Sequence, residues 1–365
     1  MEINSDFECG NIIVNELSDT EALLSIRPDT GAEYYQWFYF RVTGTPDTTR
    51  TFQITNAAGA SYEKAWNGYR VLASYNGNDW LRIPTEYDGS NLTFKHSATE
   101  STTSYAFFVP YFAAQRETLL HDCESSPLVT RRSIGKSYQG KSIDMVVIGD
   151  ENRDTKRIWV ITRQHAGESM AEWATEGMLR RFIDANDSVS QALLSKATIY
   201  VVPNINPDGS ALGNLRANAA GVDLNRAWAE PTDKCPEIIA VQKAMKEVGV
   251  DYFLDMHGDE ERPFIWIAHT DVEQSPEQKR LQAQFEQELV DRNPEILPAP
   301  EELRGEIANM GLATNYMAST FNCLSWITEL PFREPEIIED NPDSMLPDGC
   351  LRFGRTCVDA LNEVV

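Results

Sequence analysis

From about Glu117 onward, short apolar runs alternate with segments of helical periodicity, and this alternation constrains the fold more than any other feature of the chain. Strands linked through helices run parallel, so the pattern predicts a mixed, mainly parallel sheet flanked by helices. The expected strands are Ser142–Ile148, Arg157–Arg163, Thr198–Val202, Tyr252–Met256, Phe264–Ala268 and Leu324–Glu329. Between them Met170, Ala174, Met178 and Phe182 recur at every fourth position, which places one apolar stripe on a helix ending near Asn186. Pro236–Val248, Pro276–Asn293 and the tail from about Leu351 also read as helices. The Pro- and acid-rich stretches Asn293–Glu302 and Glu334–Pro347 read as loops.

The first part of the chain has another texture. "YYQWFYFRVTG", "TFQITN", "RVLASYNGNDWLRIP", "NLTFKHS" and "SYAFFVPYF" are aromatic, β-branched runs broken by turn residues. Asn76-Gly77 is a type I′ hairpin signal. These features predict an antiparallel β-sandwich ending near Tyr111. The chain therefore divides into an N-terminal sandwich domain, 1–116, and an α/β domain of the α/β/α type, 117–365.

Charge and composition exclude several functions. A formal net charge of -24 with no basic run disfavours nucleic acid and anionic membranes as partners. An acidic ligand would need arginines placed locally to capture it. No run approaches the roughly 18 apolar residues of a membrane span, and "MEINSDFECG" lacks the basic and apolar regions of a signal peptide, so a cytoplasmic protein is expected. The cysteines at 9, 123, 235, 323, 350 and 357 have no CxxC spacing, which predicts free thiols.

Chemistry concentrates at strand ends. "RIWVITRQHAGE" carries His165 and Glu168 to the carboxyl end of a strand, where open α/β sheets bind ligands. Alone, this pair equally describes a solvated turn with Glu168 at a helix amino terminus. "YFLDMHGDEE" ends a second strand in His257, and two histidines with one carboxylate leave a fourth position for water, as in a catalytic zinc site. Asp255, Asp259, Glu260 and Glu261 surround His257 and read either as partners that orient its ring or, more simply for each one alone, as a charged loop in an acid-rich chain. His269 follows a strand without a nearby partner and reads as structural.

The stretch from Asn204 to Trp228 reads as a long loop with a turn at Pro207-Asp208-Gly209. Its Arg216, Asn225 and Arg226 form an anion clamp or, equally, surface pairs with the abundant acids. "CLSWITELPF" places Glu329 at the end of a buried strand, where a carboxylate near a metal-bound water becomes a general base.

Together, "HAGE", "NINPDG", "NLR", "DLNRAW", "DMHGDE" and "TELPF", in this order, resemble the zinc metallocarboxypeptidase family, in particular its cytosolic carboxypeptidase-like branch in the bacterial form. "YYQWFYFRVTG" and "VPYFAAQRETLL" resemble that branch's N-terminal sandwich and its junction. The resemblance implies one Zn2+ held by His165, Glu168 and His257, a terminal carboxylate held by Asn225 and Arg226, an oxyanion stabilised by Arg216, and Glu329 as base. The implied substrates are peptide or protein C-termini, with glutamate, including side-chain-linked glutamate, as the residue removed. Arg304 and Arg333 are candidate partners for such an acidic side chain. Pancreatic-type members carry a mobile tyrosine about twenty residues before the base; here no Tyr lies between Phe253 and Tyr316, and Tyr316 reads as core. The rival readings are a zinc-dependent deacylase of N-acyl amino acids and a non-catalytic carboxylate-binding module.

Overall fold

The structure, a computed structural model, describes residues 1–298, 308–334 and 345–365. Ten short strands come first: β1 (Glu2–Asn4), β2 (Ile13–Leu17), β3 (Glu21–Ser25), β4 (Tyr39–Thr43), β5 (Thr49–Ile54), β6 (Val71–Ser74), β7 (Leu81–Ile83), β8 (Thr85–Tyr87), β9 (Leu92–Ser97) and β10 (Thr102–Ala106). They form two five-stranded sheets, ordered β1-β4-β10-β6-β7 and β2-β3-β5-β9-β8. Alternate residues point inward, so Phe40 of one sheet meets Phe52 of the other at 6.2 Å between ring centroids, and Tyr105 meets Phe52 at 5.1 Å. Pairing is antiparallel except for β3 and β5, which run parallel.

The Asn76-Gly77 expectation is corrected. A type I′ turn needs positive φ at both central residues, and here only Gly77 has it, at 78°. Asn76 instead uses its side-chain oxygen to accept the backbone N–H groups of Asn78 (2.9 Å) and Asp79 (2.8 Å), which closes a wider loop between β6 and β7.

The rest of the chain runs α1 (Ala113–Glu124), β11 (Val129–Lys136), β12 (Ser142–Ile148), β13 (Lys156–Thr162), α2 (Ser169–Ile183), α3 (Ser188–Lys196), β14 (Ala197–Val202), α4 (Pro207–Leu212), α5 (Pro236–Val248), β15 (Tyr252–Asp259), β16 (Ile265–His269), α6 (Pro276–Arg292), β17 (Ile296–Pro298), α7 (Ala313–Phe321), β18 (Leu324–Pro331) and α8 (Pro347–Val364). Its eight strands form one sheet in the order β11-β12-β14-β13-β15-β18-β16-β17. The centre, β14-β13-β15-β18, is parallel, and antiparallel pairs flank it.

Side-chain alternation in the central strands fills two cores. Ile158 and Val160 pack in the cluster with Met170, Ala174 and Met178 of α2 and Phe353 of α8. Trp159 and Ile161 pack in the other, with Val241 and Met245 of α5 and Met317 of α7. Burial on both faces is why these strands read as continuous apolar runs. By contrast β11, "VTRRSIGK", is an edge strand with no fully buried residue, and its polar sequence hid it.

Among the differences from expectation, two have a clear local cause. The helix begun at Ser169 stops at Ile183, not near Asn186, because Asp187 caps the next helix by accepting the Ser190 N–H at 2.9 Å. The turn expected at Pro207-Asp208-Gly209 is the first turn of α4: Pro207 takes the first helical position and the Asn206 side chain accepts the Gly209 N–H at 3.1 Å. The loop expected at Asn293–Glu302 lies outside the described residues from 299 on, and that at Glu334–Pro347 does so over 335–344.

Candidate active site

Strand β13 ends at Thr162, and the chain turns at once through Arg163, whose φ of 59° is unusual for a residue with a side chain. Arg163 is fully buried and holds the turn in place: Nε donates to Ala166 O and Nη1 to Tyr111 O, both at 3.0 Å, and Nη1 also pairs with Glu172. Glu172, on the first turn of α2, is further bonded by Arg116 (2.9 Å) and Asn204 (2.9 Å). This buried network aims His165 and Glu168 across the sheet end.

Opposite them, His257 is carried within β15, which runs three residues beyond its expected end. His165 Nδ1 lies 2.6 Å from Glu168 Oε1, His257 Nδ1 lies 2.9 Å from Glu168 Oε2, and the two Nδ1 atoms are 3.1 Å apart. Both outer nitrogens face carboxylates: His165 Nε2 is 3.2 Å from Asp223 Oδ1, and His257 Nε2 is 3.0 Å from Asp255 Oδ1. A carboxylate on each Nε2–H leaves both Nδ1 lone pairs turned inward. Three acceptors thus converge in a buried spot, an arrangement that is repulsive unless positive charge sits among them. Consistent with this, although burial opposes both shifts, the imidazoles hold the Glu168 carboxyl down at about 2, while Asp255 and Glu168 raise His257 well above the ordinary imidazole value. The set matches the nitrogen and oxygen donors that zinc accepts. Gly258 lets the strand pass close behind the set, since a Cβ there would lie 2.5 Å from Met170 Sδ and 3.2 Å from Glu168 Cγ.

Glu329 stands in register with His257 on the adjacent parallel strand. Its Oε2 is enclosed and has no hydrogen-bond partner. Burial pushes its carboxyl well above the ordinary range, against the pull of His257 and with the help of Glu168, Asp259 and Glu260.

The loop after α4 brings the remaining expected residues. Arg216 donates from Nε to Asp223 Oδ2 (2.6 Å) and from Nη1 to the Tyr62 hydroxyl (2.5 Å). Asn225 accepts the Ala313 N–H at 2.9 Å and lies 3.3 Å from His257 Nε2. Arg226 is exposed and donates to Asn225 O at 2.7 Å. His165, Glu168, Arg216, Asn225, Arg226 and Glu329 all line one cavity of about 710 Å3; His257 forms the wall behind it, fully buried.

Other residues behave differently. Of the four acids around His257, only Asp255 touches the ring among the contacts of the described residues, although Asp255 and Asp259 both lie two residues from it on one face of the strand. Asp259 instead accepts Trp266 Nε1 at 2.8 Å. His269 is paired with Glu286 at 2.7 Å, as a structural histidine should be, yet it also lines the cavity. Tyr316 packs on Trp228 at 6.0 Å in the core. Arg333 donates to the backbone oxygens of Asn67 and Glu261 and does not line the cavity, and Arg304 lies outside the described residues. Sequence reasoning missed Asp223, although its place two residues before Asn225 in "DLNRAW" was a usable signal, and it missed Tyr62, for which no local signal exists.

A mixed sheet that gathers two imidazoles and a glutamate at its strand ends, beside the half-buried Glu329 with its unpartnered Oε2 and the cavity arginines Arg216 and Arg226, defines a metallocarboxypeptidase. Residues 117–326 match the zinc carboxypeptidase family and residues 3–108 the cytosolic carboxypeptidase N-terminal domain. The chain belongs to the zinc carboxypeptidase family and is a peptide-hydrolysing exopeptidase. It is 35% identical to an uncharacterized protein of Zymomonas mobilis, over 100% of this chain and 97% of that one. It is 26% identical to cytosolic carboxypeptidase 6 of Caenorhabditis elegans, over 90% of this chain and 78% of the relative. Among solved structures, the metallo-carboxypeptidase of Pseudomonas aeruginosa in complex with (2-guanidinoethylmercapto)succinic acid superposes with a TM-score of 0.95 at 38% identity, and that of Burkholderia cenocepacia with 0.94 at 32%. Both comparisons cover 100% of this chain and 98% of the other. Among the described residues, no helix is long and apolar enough to cross a membrane.

Proposed function

We propose that the chain removes polar C-terminal residues, glutamate among them, from peptides or proteins, with one zinc ion held by His165, Glu168 and His257. The observation that carries this reading is the convergence of three buried acceptors beside the unpartnered Oε2 of Glu329. Zinc, when bound, acts as a Lewis acid on the scissile carbonyl and lowers the pKa of its water from about 15.7 toward about 7. Arg226 and Asn225 hold the free α-carboxylate and so fix the distance from chain end to the bond cut. Glu329 accepts the water proton at Oε2 and returns it to the leaving amine. Arg216 donates N–H groups to the developing oxyanion, and loss of one such donor typically costs ~100–1000-fold in rate. Asp223 and Asp255 keep the imidazoles in the required tautomer.

The side-chain preference rests on the far wall of the cavity. Gln274 and Gln282 line it, both buried, and neither carboxamide has a hydrogen-bond partner. Buried unpaired amides are costly, and a polar substrate side chain satisfies them where an apolar one does not. Support for recognition of a free carboxylate, though not for one side-chain charge, comes from the Pseudomonas aeruginosa relative, whose bound molecule joins a succinic acid to a guanidino arm. The size of the cavity favours peptides over the small N-acyl amino acids of a deacylase, and the presence of Glu329 favours an enzyme over a binding module.

Residues 1–116 and 117–365 are proposed as the two domains, and the cytoplasm as the place of action. The matched regions 3–108 and 117–326 support the first, and the six buried free cysteines support the second.

The test is release of the C-terminal residue from matched peptides ending in Glu, Gln, Lys and Leu, with N-acyl glutamate beside them. Glu and Gln should exceed Leu by ~10-fold or more, the scale set by leaving a buried polar group unpaired. Equal or faster release of Leu defeats the side-chain assignment. Cleavage of N-acyl glutamate alone establishes the deacylase.

A further inference from the structure

The Arg216 loop is held as much by the N-terminal sandwich as by the sheet that carries the other site residues. Asp29, buried between the two, accepts three consecutive backbone N–H groups: Leu215 at 2.5 Å, Arg216 at 2.8 Å and Ala217 at 2.8 Å. Thr30 donates its backbone N–H to Asn214 Oδ1 at 3.0 Å, and the Asn11 amide donates to Gly213 O at 2.9 Å. The approach is close enough that a Cβ on Gly221, at φ 79°, would lie 2.1 Å from Gly31 O.

At the other end of the arginine stands Tyr62. It lies just before a short helical turn, Glu63–Trp66, outside both sandwich sheets. Its backbone is clamped by Gln36, which is fully buried: Tyr62 N donates to Gln36 Oε1 at 2.9 Å, and Gln36 Nε2 donates to Tyr62 O at 3.1 Å. The hydroxyl reaches the catalytic cavity and accepts Arg216 Nη1 at 2.5 Å. Arg216 Nε bonds Asp223, and Asp223 bonds His165. A continuous line of hydrogen bonds therefore runs from the sandwich to an imidazole of the metal site.

We propose that the N-terminal sandwich is a working part of the catalytic centre, in which Asp29 and Tyr62 are positioning residues for Arg216. A long arginine side chain has many rotamers, and its stabilisation of a developing charge depends on being in place beforehand. Asp29 fixes the backbone from which the side chain leaves, Asp223 fixes Nε, and Tyr62 fixes Nη1. Among the described residues no other side chain hydrogen-bonds the guanidinium, which also lies over the Tyr34 ring at 5.8 Å from its centroid. The cleft thus obtains from the other domain a tyrosine hydroxyl that its own strands and helices do not place there. The inference rests on the assignment of Arg216 to the oxyanion.

The test is a double-mutant cycle on the zinc-loaded full chain, with the fastest peptide of the screen above: Tyr62→Phe, Arg216→Ala and the pair, beside Asp29→Asn. Tyr62→Phe should lower kcat by about 10-fold, the scale of a hydrogen bond to a charged group, with KM within about twofold and with zinc content and melting temperature unchanged. In the Arg216→Ala background it should add less than about twofold, because the residue it acts through is gone. Asp29→Asn should likewise act mainly on kcat. Should Tyr62→Phe not fold, the same cycle run with Asp29→Asn decides. An unchanged kcat in Tyr62→Phe, alongside a loss of ~100-fold or more in Arg216→Ala, overturns the positioning role and leaves the oxyanion assignment intact. An equal loss in both backgrounds also overturns it. If Arg216→Ala costs nothing, the oxyanion assignment falls, and the inference with it.

Discussion

His257 and Glu329 face each other in register on the adjacent parallel strands β15 and β18. Residues paired in register project to the same face, so the pairing sets the carboxylate beside the imidazole without any loop to position it. The rigidity of the sheet passes directly to the placement of the two groups, so the carboxylate proposed as base is held in place beforehand.

Glu329→Gln keeps the shape of the side chain and removes its basicity. Turnover should fall by ~100–10,000-fold, the usual worth of a general base, while metal content measured by plasma emission stays at one zinc per chain. Retention of most activity would show that another group takes the proton.

Replacement of a histidine should act on the metal itself. His257→Ala and His165→Ala should each lose zinc on dialysis, and the wild type treated with a chelator should lose activity and regain it when zinc is returned. A variant that keeps stoichiometric zinc after dialysis removes that histidine from the ligand set.

Arg226 and Asn225 line the cavity and are the proposed holders of the free α-carboxylate. Amidation of the peptide C-terminus should reduce kcat/KM by ~10-fold or more in the wild type, as loss of a charge-assisted contact implies, and Arg226→Ala should close most of that gap by lowering activity on the free acid. If Arg226→Ala still prefers the free acid by the same factor, the carboxylate is held elsewhere.

Arg163→Met tests the turn that presents His165 and Glu168. It leaves Glu172 buried with one partner fewer, which typically costs ~3–5 kcal/mol. The urea midpoint should drop accordingly, with zinc affinity falling alongside it. A midpoint within experimental error of the wild type would mean that Arg116 and Asn204 satisfy Glu172 without help.

Much of the site was legible from the chain alone. The runs ending in His165, His257 and Glu329 stood out because central parallel strands are buried on both faces, and polar residues at their ends are conspicuous. Three features of the fold were not legible. Edge strand β11 lacks a buried face and so lacks a hydrophobic pattern. Asn76 closes its turn through side-chain bonds that imitate hairpin sequence. Pro207-Asp208-Gly209 begins a helix because Asn206 caps it, although Pro-Asp-Gly read as a turn.

Local order along the chain thus settled which side chains reach the strand ends, since apolar period and strand length act over a few residues. Partnership between distant segments was decided by packing. Tyr62 and Arg216 stand 154 residues apart and share no local pattern, and they meet because Gln36 and Asp29 lock the sandwich onto the loop after α4. The register that sets Glu329 against His257 likewise follows from how the two faces of the sheet fill their cores, since a slip of one residue would send every side chain into the opposite core.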